Sequence, residues 1–266
     1  MKLSIRHETR YRYTAPLSYT IQQLRLWPRS EPHQHVLSWH IGSAGRCHGF
    51  VDAFGNHGHI LTVTGLHDEV LIVAHGEVDV SPLDQGRLMT VDGINPLVFS
   101  APTRFTSAEP ALHEFALRHL KPNPDSAALL PLAEAICGAV AYRSGSTGVH
   151  TTANAALMQG EGVCQDHAHL FLACCHAHDV PARYVSGYID TGSSDHAESH
   201  AWVDVWVNDN DFSGWVSIDV THARFATEHL CRLAVGRDYD SAAPIRGVRH
   251  GGGLEALSVK VDVTVR

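Results

Sequence analysis

From Ala168 to Cys175 the chain is apolar nearly all the way round a helix, and a helix of that kind is stable only when other structure covers it on every side. Pro181 follows its end, and Gly160-Glu161-Gly162-Val163-Cys164-Gln165-Asp166 precedes its start. Three strand-like stretches come next, residues 183–189, 201–207 and 215–220, each rich in valine and aromatic side chains. Such a helix needs a sheet to cover it. The expected fold class is α+β, with this helix packed on an antiparallel sheet.

Upstream, the first hundred residues read as β. Leu3, Ile5, His7, Thr9, Tyr11 and Tyr13 share one face of a period-two strand, which Ala15-Pro16-Leu17 is expected to break. Residues 37–41 alternate again, Asp52-Ala53-Phe54-Gly55-Asn56 marks a turn, and residues 61–63 and 70–80 add further strand. Two helices follow. Leu112, Phe115, Ala116 and Leu120 share the face of the first, and Asp125 caps a second that carries Leu129, Leu132, Ala133, Ile136, Cys137 and Val140. Val259, Val261, Val263 and Val265 close the chain as a one-faced strand. The expected organisation is a β-rich region over 1–100 and a second unit over 101–266.

The chemistry gathers in the second unit. Cys164 stands at the helix start, and Ser199-His200-Ala201-Trp202 and Gly214-Trp215-Val216-Ser217-Ile218-Asp219 place a histidine and an aspartate on short strands after it. A thiol is a strong nucleophile only as thiolate, a form that the positive end of a helix and a neighbouring imidazolium both favour. A carboxylate then fixes the imidazole tautomer. Cys164 is therefore the candidate nucleophile, His200 the base and Asp219 its orienting acid. The backbone N–H of Cys164 can serve as one oxyanion donor, and Tyr142, Gln165 and Trp202 are the candidates for a second. Asp166, in the first helical turn, is explained by the helix dipole.

These motifs, together with Ala182-Arg183-Tyr184-Val185-Ser186-Gly187-Tyr188, resemble the bacterial branch of the transglutaminase-like cysteine peptidase superfamily over roughly residues 142–222. The resemblance implies a Cys-His-Asp triad in this chain order, carried onto Cys164, His200 and Asp219. The family usually has proline after the aspartate, where this chain has Val220. Arg25-Leu26-Trp27-Pro28 and the Asp52-to-Asn56 turn resemble the N-terminal region of bacterial transglutaminase-like proteins. That likeness implies an antiparallel β-sandwich-like region before a papain- or transglutaminase-like catalytic domain. The implied activity is peptidase or amidase cleavage through an acyl-thioester on Cys164. Amine transfer to protein glutamine, or a non-catalytic binding or scaffold role, are the alternatives.

Composition narrows the rest. Net charge is −8 with no basic cluster, which excludes a nucleic-acid partner. No apolar run approaches the ~18 residues of a membrane span, so no membrane partner is expected. Met1 to Glu8 alternates without the apolar core of a signal peptide, and the six cysteines (47, 137, 164, 174, 175 and 231) lack the density of a disulfide scaffold. The expectation is a cytoplasmic protein with reduced thiols. Cys174 and His178 have the i, i+4 spacing of a zinc pair, but no second pair accompanies them, and no EF-hand or phosphate-cradling motif occurs. The expectation is accordingly no metal and no cofactor, with a peptide or protein as substrate; nothing in the sequence fixes an oligomeric state. The Gly-, Ser- and Asp-containing residues 191–199 are expected to form a wet loop over the site, which favours water as the acyl acceptor.

Overall fold

A computed structural model describes residues 1–89, 93–192 and 198–266. Its first sheet is built on two long strands, β1 (Lys2–Leu24) and β4 (His57–Val80), which pair antiparallel from Lys2 opposite Asp79 to Leu24 opposite His59. Leu3, Ile5, His7 and Thr9 all face the core, as their period-two spacing predicts. Ala15-Pro16-Leu17 bends β1 without ending it: the ladder loses register between Arg12 and Leu17 and then resumes. Proline lacks an N–H for the ladder, so it is accommodated at an irregularity of this kind.

The flanking strands change at that bend. β2 (Gln34–Ser43) and β14 (Glu255–Val265) border the first half, and β3 (Arg46–Val51) and β13 (Ile245–Gly251) border the second. The N-terminal region is thus one six-stranded antiparallel sheet, its two ladders sharing β1 and β4. The chain also ends in this sheet, so a second unit running to residue 266 overshoots. β13 and β14 pair with a strand more than 200 positions earlier, and local sequence carries no sign of that.

The second sheet runs β11 (Arg224–Phe225), β10 (Ser213–Asp219), β9 (Glu198–Asn208), β8 (Ala182–Ile189), β12 (Leu230–Gly236), with β5 (Arg87–Leu88) added to β10. Four helices, α1 (Pro110–His119), α2 (Leu129–Ala139), α3 (Ala153–Gln159) and α4 (Cys164–His176), share a core with Tyr184, Val203, Val205, Val216 and Ile218 of this sheet. On the other side Tyr188, Cys231 and Leu233 join the core of the first sheet. Covered on both faces, β8 and β12 are buried at every position. The fold is α+β in three layers, sheet on sheet on helices, and α4 is buried from Asp166 to His176 as its composition requires. Among the described residues no helix is long and apolar enough to cross a membrane.

A buried ionic network fastens the layers. Asp204 of β9 accepts from Arg183 Nε at 2.8 Å and, bidentately, from Arg232 at 2.6 and 3.0 Å. Arg232 Nε also meets Glu31 at 3.0 Å, and Glu31 accepts from Arg29 Nε at 2.7 Å. Burial alone would push the Asp204 carboxyl up, but Arg232 and Arg183 outweigh it and hold it well below the carboxylate range. Against the same burial, Arg232 and Arg29 lower Glu31 to about 2. The outer edge of β12 is closed by side-chain amides. Gln34 donates to the Arg232 carbonyl at 2.9 Å and accepts its N–H at 2.7 Å, and Asn56 does the same for Val235 at 2.7 and 2.8 Å. Two amides thereby stand in for a neighbouring strand.

Removing one member leaves the others buried and unpaired, so Asp204→Ala should lose about 3–5 kcal/mol in urea unfolding. A loss under about 1 kcal/mol would mean that the network does not hold the layers. Both carboxyls titrate lower folded than unfolded. Their stabilisation is therefore complete above about pH 5 and fades as pH falls toward about 2, which acid unfolding monitored by circular dichroism will show.

Candidate active site

The turn before α4 is made by two glycines for different reasons. Gly160 ends α3 in the left-handed region with φ +71, and a Cβ on Gly162 would lie 2.8 Å from the Asp166 side chain. Asp166 reaches back to accept the Val163 N–H at 2.8 Å and the Thr147 hydroxyl at 2.5 Å. Asp166 is thus a cap for the helix start, in line with the dipole argument. Cys164 follows in the first turn, where no intrahelical acceptor exists for its N–H.

His200 and Asp219 lie near the ends of adjacent strands, on the same face as Trp202 and Ser217. His200 Nε2–H donates to Asp219 Oδ1 at 2.8 Å, which leaves Nδ1 for the Cys164 thiol, a group near enough to act on the ring electrostatically. The structure therefore brings all three sequence-predicted residues together. Burial disfavours a charged His200 ring, yet its interactions with Asp219 and Cys164 outweigh it and raise the imidazole to about 10. Asp219 is fully buried. Burial pushes its carboxyl up, but the bonds from His200 and His222 overcome that and hold it far below its usual range.

The three oxyanion candidates fare differently. The Trp202 ring stacks on His200 with centroids 6.0 Å apart, and its N–H donates to Ser217 Oγ at 3.1 Å. With its single donor engaged, Trp202 supports the histidine and is no oxyanion donor. Gln165 Nε2 is buried beside the thiol's helical turn without a hydrogen-bond partner. Tyr142 is about half exposed, sits on the two-residue strand β6 (Ala141–Tyr142) beside β7 (Glu161–Gly162), and lines a cavity of about 520 Å³ with Ser144, Ile189, Thr191, His200, Thr221 and His222.

Three residues of the site escaped the sequence reading. His222 Nδ1 donates to Asp219 Oδ2 at 2.7 Å, and Arg224 Nε approaches the same oxygen at 3.4 Å. His167, on α4, donates from Nε2 to the Val140 carbonyl at 2.9 Å and accepts the Thr221 hydroxyl at Nδ1, 3.1 Å away. The signal for His222 was its i, i+3 spacing from Asp219, which 21 histidines in the chain obscure. Among the described residues, the ligand atoms of His200, Asp219 and His222 gather within 4.8 Å of one another. Cys174 and His178 do not form a helical pair, because α4 ends at His176. Of the loop expected over residues 191–199, positions 193–197 lie outside the described residues, and Glu198 and Ser199 already belong to β9.

Residues 3–79 match the family model of the bacterial transglutaminase-like N-terminal region, and residues 115–220 match that of the transglutaminase-like superfamily. An uncharacterized protein of Mycobacterium leprae is 28% identical over 281 residues, covering 99% of this chain and 98% of its own. One of Mycobacterium tuberculosis is 30% identical over 287 residues, covering 97% and 91%. Among solved structures, a candidate cysteine protease from Cytophaga hutchinsonii has the same fold, with a TM-score of 0.80 at 24% identity over 99% of this chain and 90% of that one.

The cysteines outside the site are poor nucleophiles. Burial raises the thiols of Cys47 and Cys137, pushes Cys174 up to about 12, and drives Cys175 and Cys231 higher still. Iodoacetamide near pH 6 should therefore label Cys164 first, in a fast phase that Cys164→Ala abolishes. Peptide mapping that finds any other cysteine labelled first would remove Cys164 from the nucleophile's place.

Proposed function

The chain belongs to the transglutaminase-like superfamily, with a bacterial transglutaminase-like N-terminal region ahead of the core, and from that premise we propose that it is a cysteine peptidase or amidase working through an acyl-thioester on Cys164. The observation that carries this reading is a buried imidazole, His200, held by buried Asp219 at 2.8 Å with its other nitrogen left for the nearby Cys164 thiol. A scaffold has no use for a buried aspartate that holds an imidazole against a thiol.

In this reading His200 takes the thiol proton at Nδ1, and the thiolate attacks the amide carbonyl. The oxyanion develops against the N–H of Cys164, with the Gln165 or Tyr142 side chain as the second donor. His200 returns the proton to the departing amine, leaving the acyl group on sulfur. Water then attacks with His200 as base, and breakdown of the second tetrahedral species releases the acid and restores the thiol. Asp219 stays ionised throughout and stabilises the imidazolium.

The acceptor is proposed to be water. The cavity at the His200 end carries the polar side chains of Ser144, Thr191, Thr221 and His222 beside Ile189 and Tyr142. Those polar groups can hold water next to the thioester, whereas amine transfer requires water to be kept away while the amine competes. The substrate is proposed to be a peptide or a protein.

Activity profiling with a peptide library, followed by mass spectrometry of the trapped acyl-enzyme, tests the reading. Cys164→Ala and His200→Ala should each lower turnover on the order of ~10⁴-fold, and the double variant should be little worse than either. Multiplicative losses would show that the two do not share a step. With a primary amine present at about millimolar concentration, hydrolysed product should dominate. A majority of amine-coupled product would instead make the chain a transglutaminase.

A further inference from the structure

Asp219 serves two histidines, and the relay needs only one. His200 Nε2 binds Oδ1 at 2.8 Å and His222 Nδ1 binds Oδ2 at 2.7 Å, with ring centroids 5.5 Å apart. His222 comes from the turn between β10 and β11, whose backbone folds back so that residue i+3 covers the carboxylate. The acid has no exposure, whereas the His222 side chain is 43 % exposed and lines the cavity of about 520 Å³ together with His200. Two imidazole nitrogens and a carboxylate oxygen therefore converge beside an open cavity.

That donor set is the one a three-ligand zinc site uses, with the fourth place left to water. Imidazole nitrogens select late first-row cations over magnesium and calcium, which prefer all-oxygen sites. We propose that His200, Asp219 and His222 form a site for a divalent transition-metal cation, with zinc the best fit, and that its occupation switches the enzyme off. The cation takes the places of the two ring protons now aimed at Asp219. The His222 proton moves from Nδ1 to Nε2 on the solvent side, with no net release. The His200 proton likewise moves from Nε2 to Nδ1, the nitrogen facing Cys164, so both rings bind as neutral imidazoles. Arg224 opposes a cation at this point, but its side chain is 42 % exposed and can turn outward. With Nε2 on the metal and Nδ1 protonated, the His200 ring has no nitrogen left to take the thiol proton. The loss of activity rests on the peptidase reading above; the binding does not.

The test is zinc titration of chelator-treated protein against a chromophoric competitor, in wild type, Cys164→Ser, His222→Ala and His222→Gln, each checked for an unchanged melting temperature. Wild type and Cys164→Ser should both bind one zinc tightly per chain, and both His222 variants should bind about tenfold or more weakly. Cobalt in place of zinc should give ligand-field bands without thiolate charge transfer. Loss of the tight site in Cys164→Ser, or its retention in both His222 variants, would overturn the proposal. Where a hydrolysed peptide is in hand, zinc should inhibit wild type far more strongly than His222→Gln, and equal inhibition of the two would remove the switch. Tight, His222-dependent binding in a protein with no hydrolase activity leaves the metal site standing and sinks the peptidase reading instead.

Discussion

Asp204 holds two guanidinium groups inside the protein, and the assembly of the fold turns on that pairing. Arg183 reaches it from β8 and Arg232 from β12, while Arg232 also binds Glu31 from the segment between β1 and β2. A buried charge of this kind is tolerated only when every partner is in place. The strand order β9-β8-β12 and the docking of the first sheet are therefore coupled, since neither satisfies the charges without the other. The network also touches the site. Arg232 reaches Ser217 Oγ at 3.4 Å, the oxygen that fixes the Trp202 indole, and Trp202 is the ring on which His200 stacks.

The Asp52-to-Asn56 turn shows what a motif reveals and what it hides. Its residues mark a turn on sequence grounds, and they form one: Asp52 accepts the N–H groups of Phe54 and Asn56 at 2.9 and 3.0 Å. Its purpose is set 179 positions away, where Asn56 closes the edge of β12 at Val235. The same division runs through the fold. The buried α4, the one-faced start of β1 and the valine strand at the end were legible, because each is written in local periodicity. The partners of β13 and β14, the role of Gln34 and the seven-residue α3 were not, because long-range pairing and very short helices leave little periodic trace.

The site divides in the same way. Cys164, His200 and Asp219 were legible because a thiol at a helix start, a histidine opening a strand and an aspartate closing one are each tied to a recognisable local context. Trp202 was misassigned because the sequence shows an indole donor without showing that Ser217 already accepts from it. His222 and His167 were hidden because their roles depend on where a turn folds back.

That turn joins the two halves of the relay. Residues 220–222 follow Asp219 directly, and His222 covers the acid from the solvent side. From beneath, Cys137 donates its S–H to the Val220 carbonyl at 3.0 Å, tying α2 to the same backbone. Thr221 donates to His167, which stands one helical turn after Cys164 and donates in turn to Val140 at the end of α2. Burial lowers the His167 pKa, so the ring stays neutral, with one nitrogen free to accept and the other to donate. The helix that carries Cys164 and the turn after Asp219 are thus joined through one imidazole. His200 stands on β9 beside Asp219 at the end of β10, and its own supports, Trp202 and Ser217, lead back to the ionic network. Cys164 is thus placed by the helical layer and His200 and Asp219 by the sheet, and the turn after Asp219 is where the two are joined.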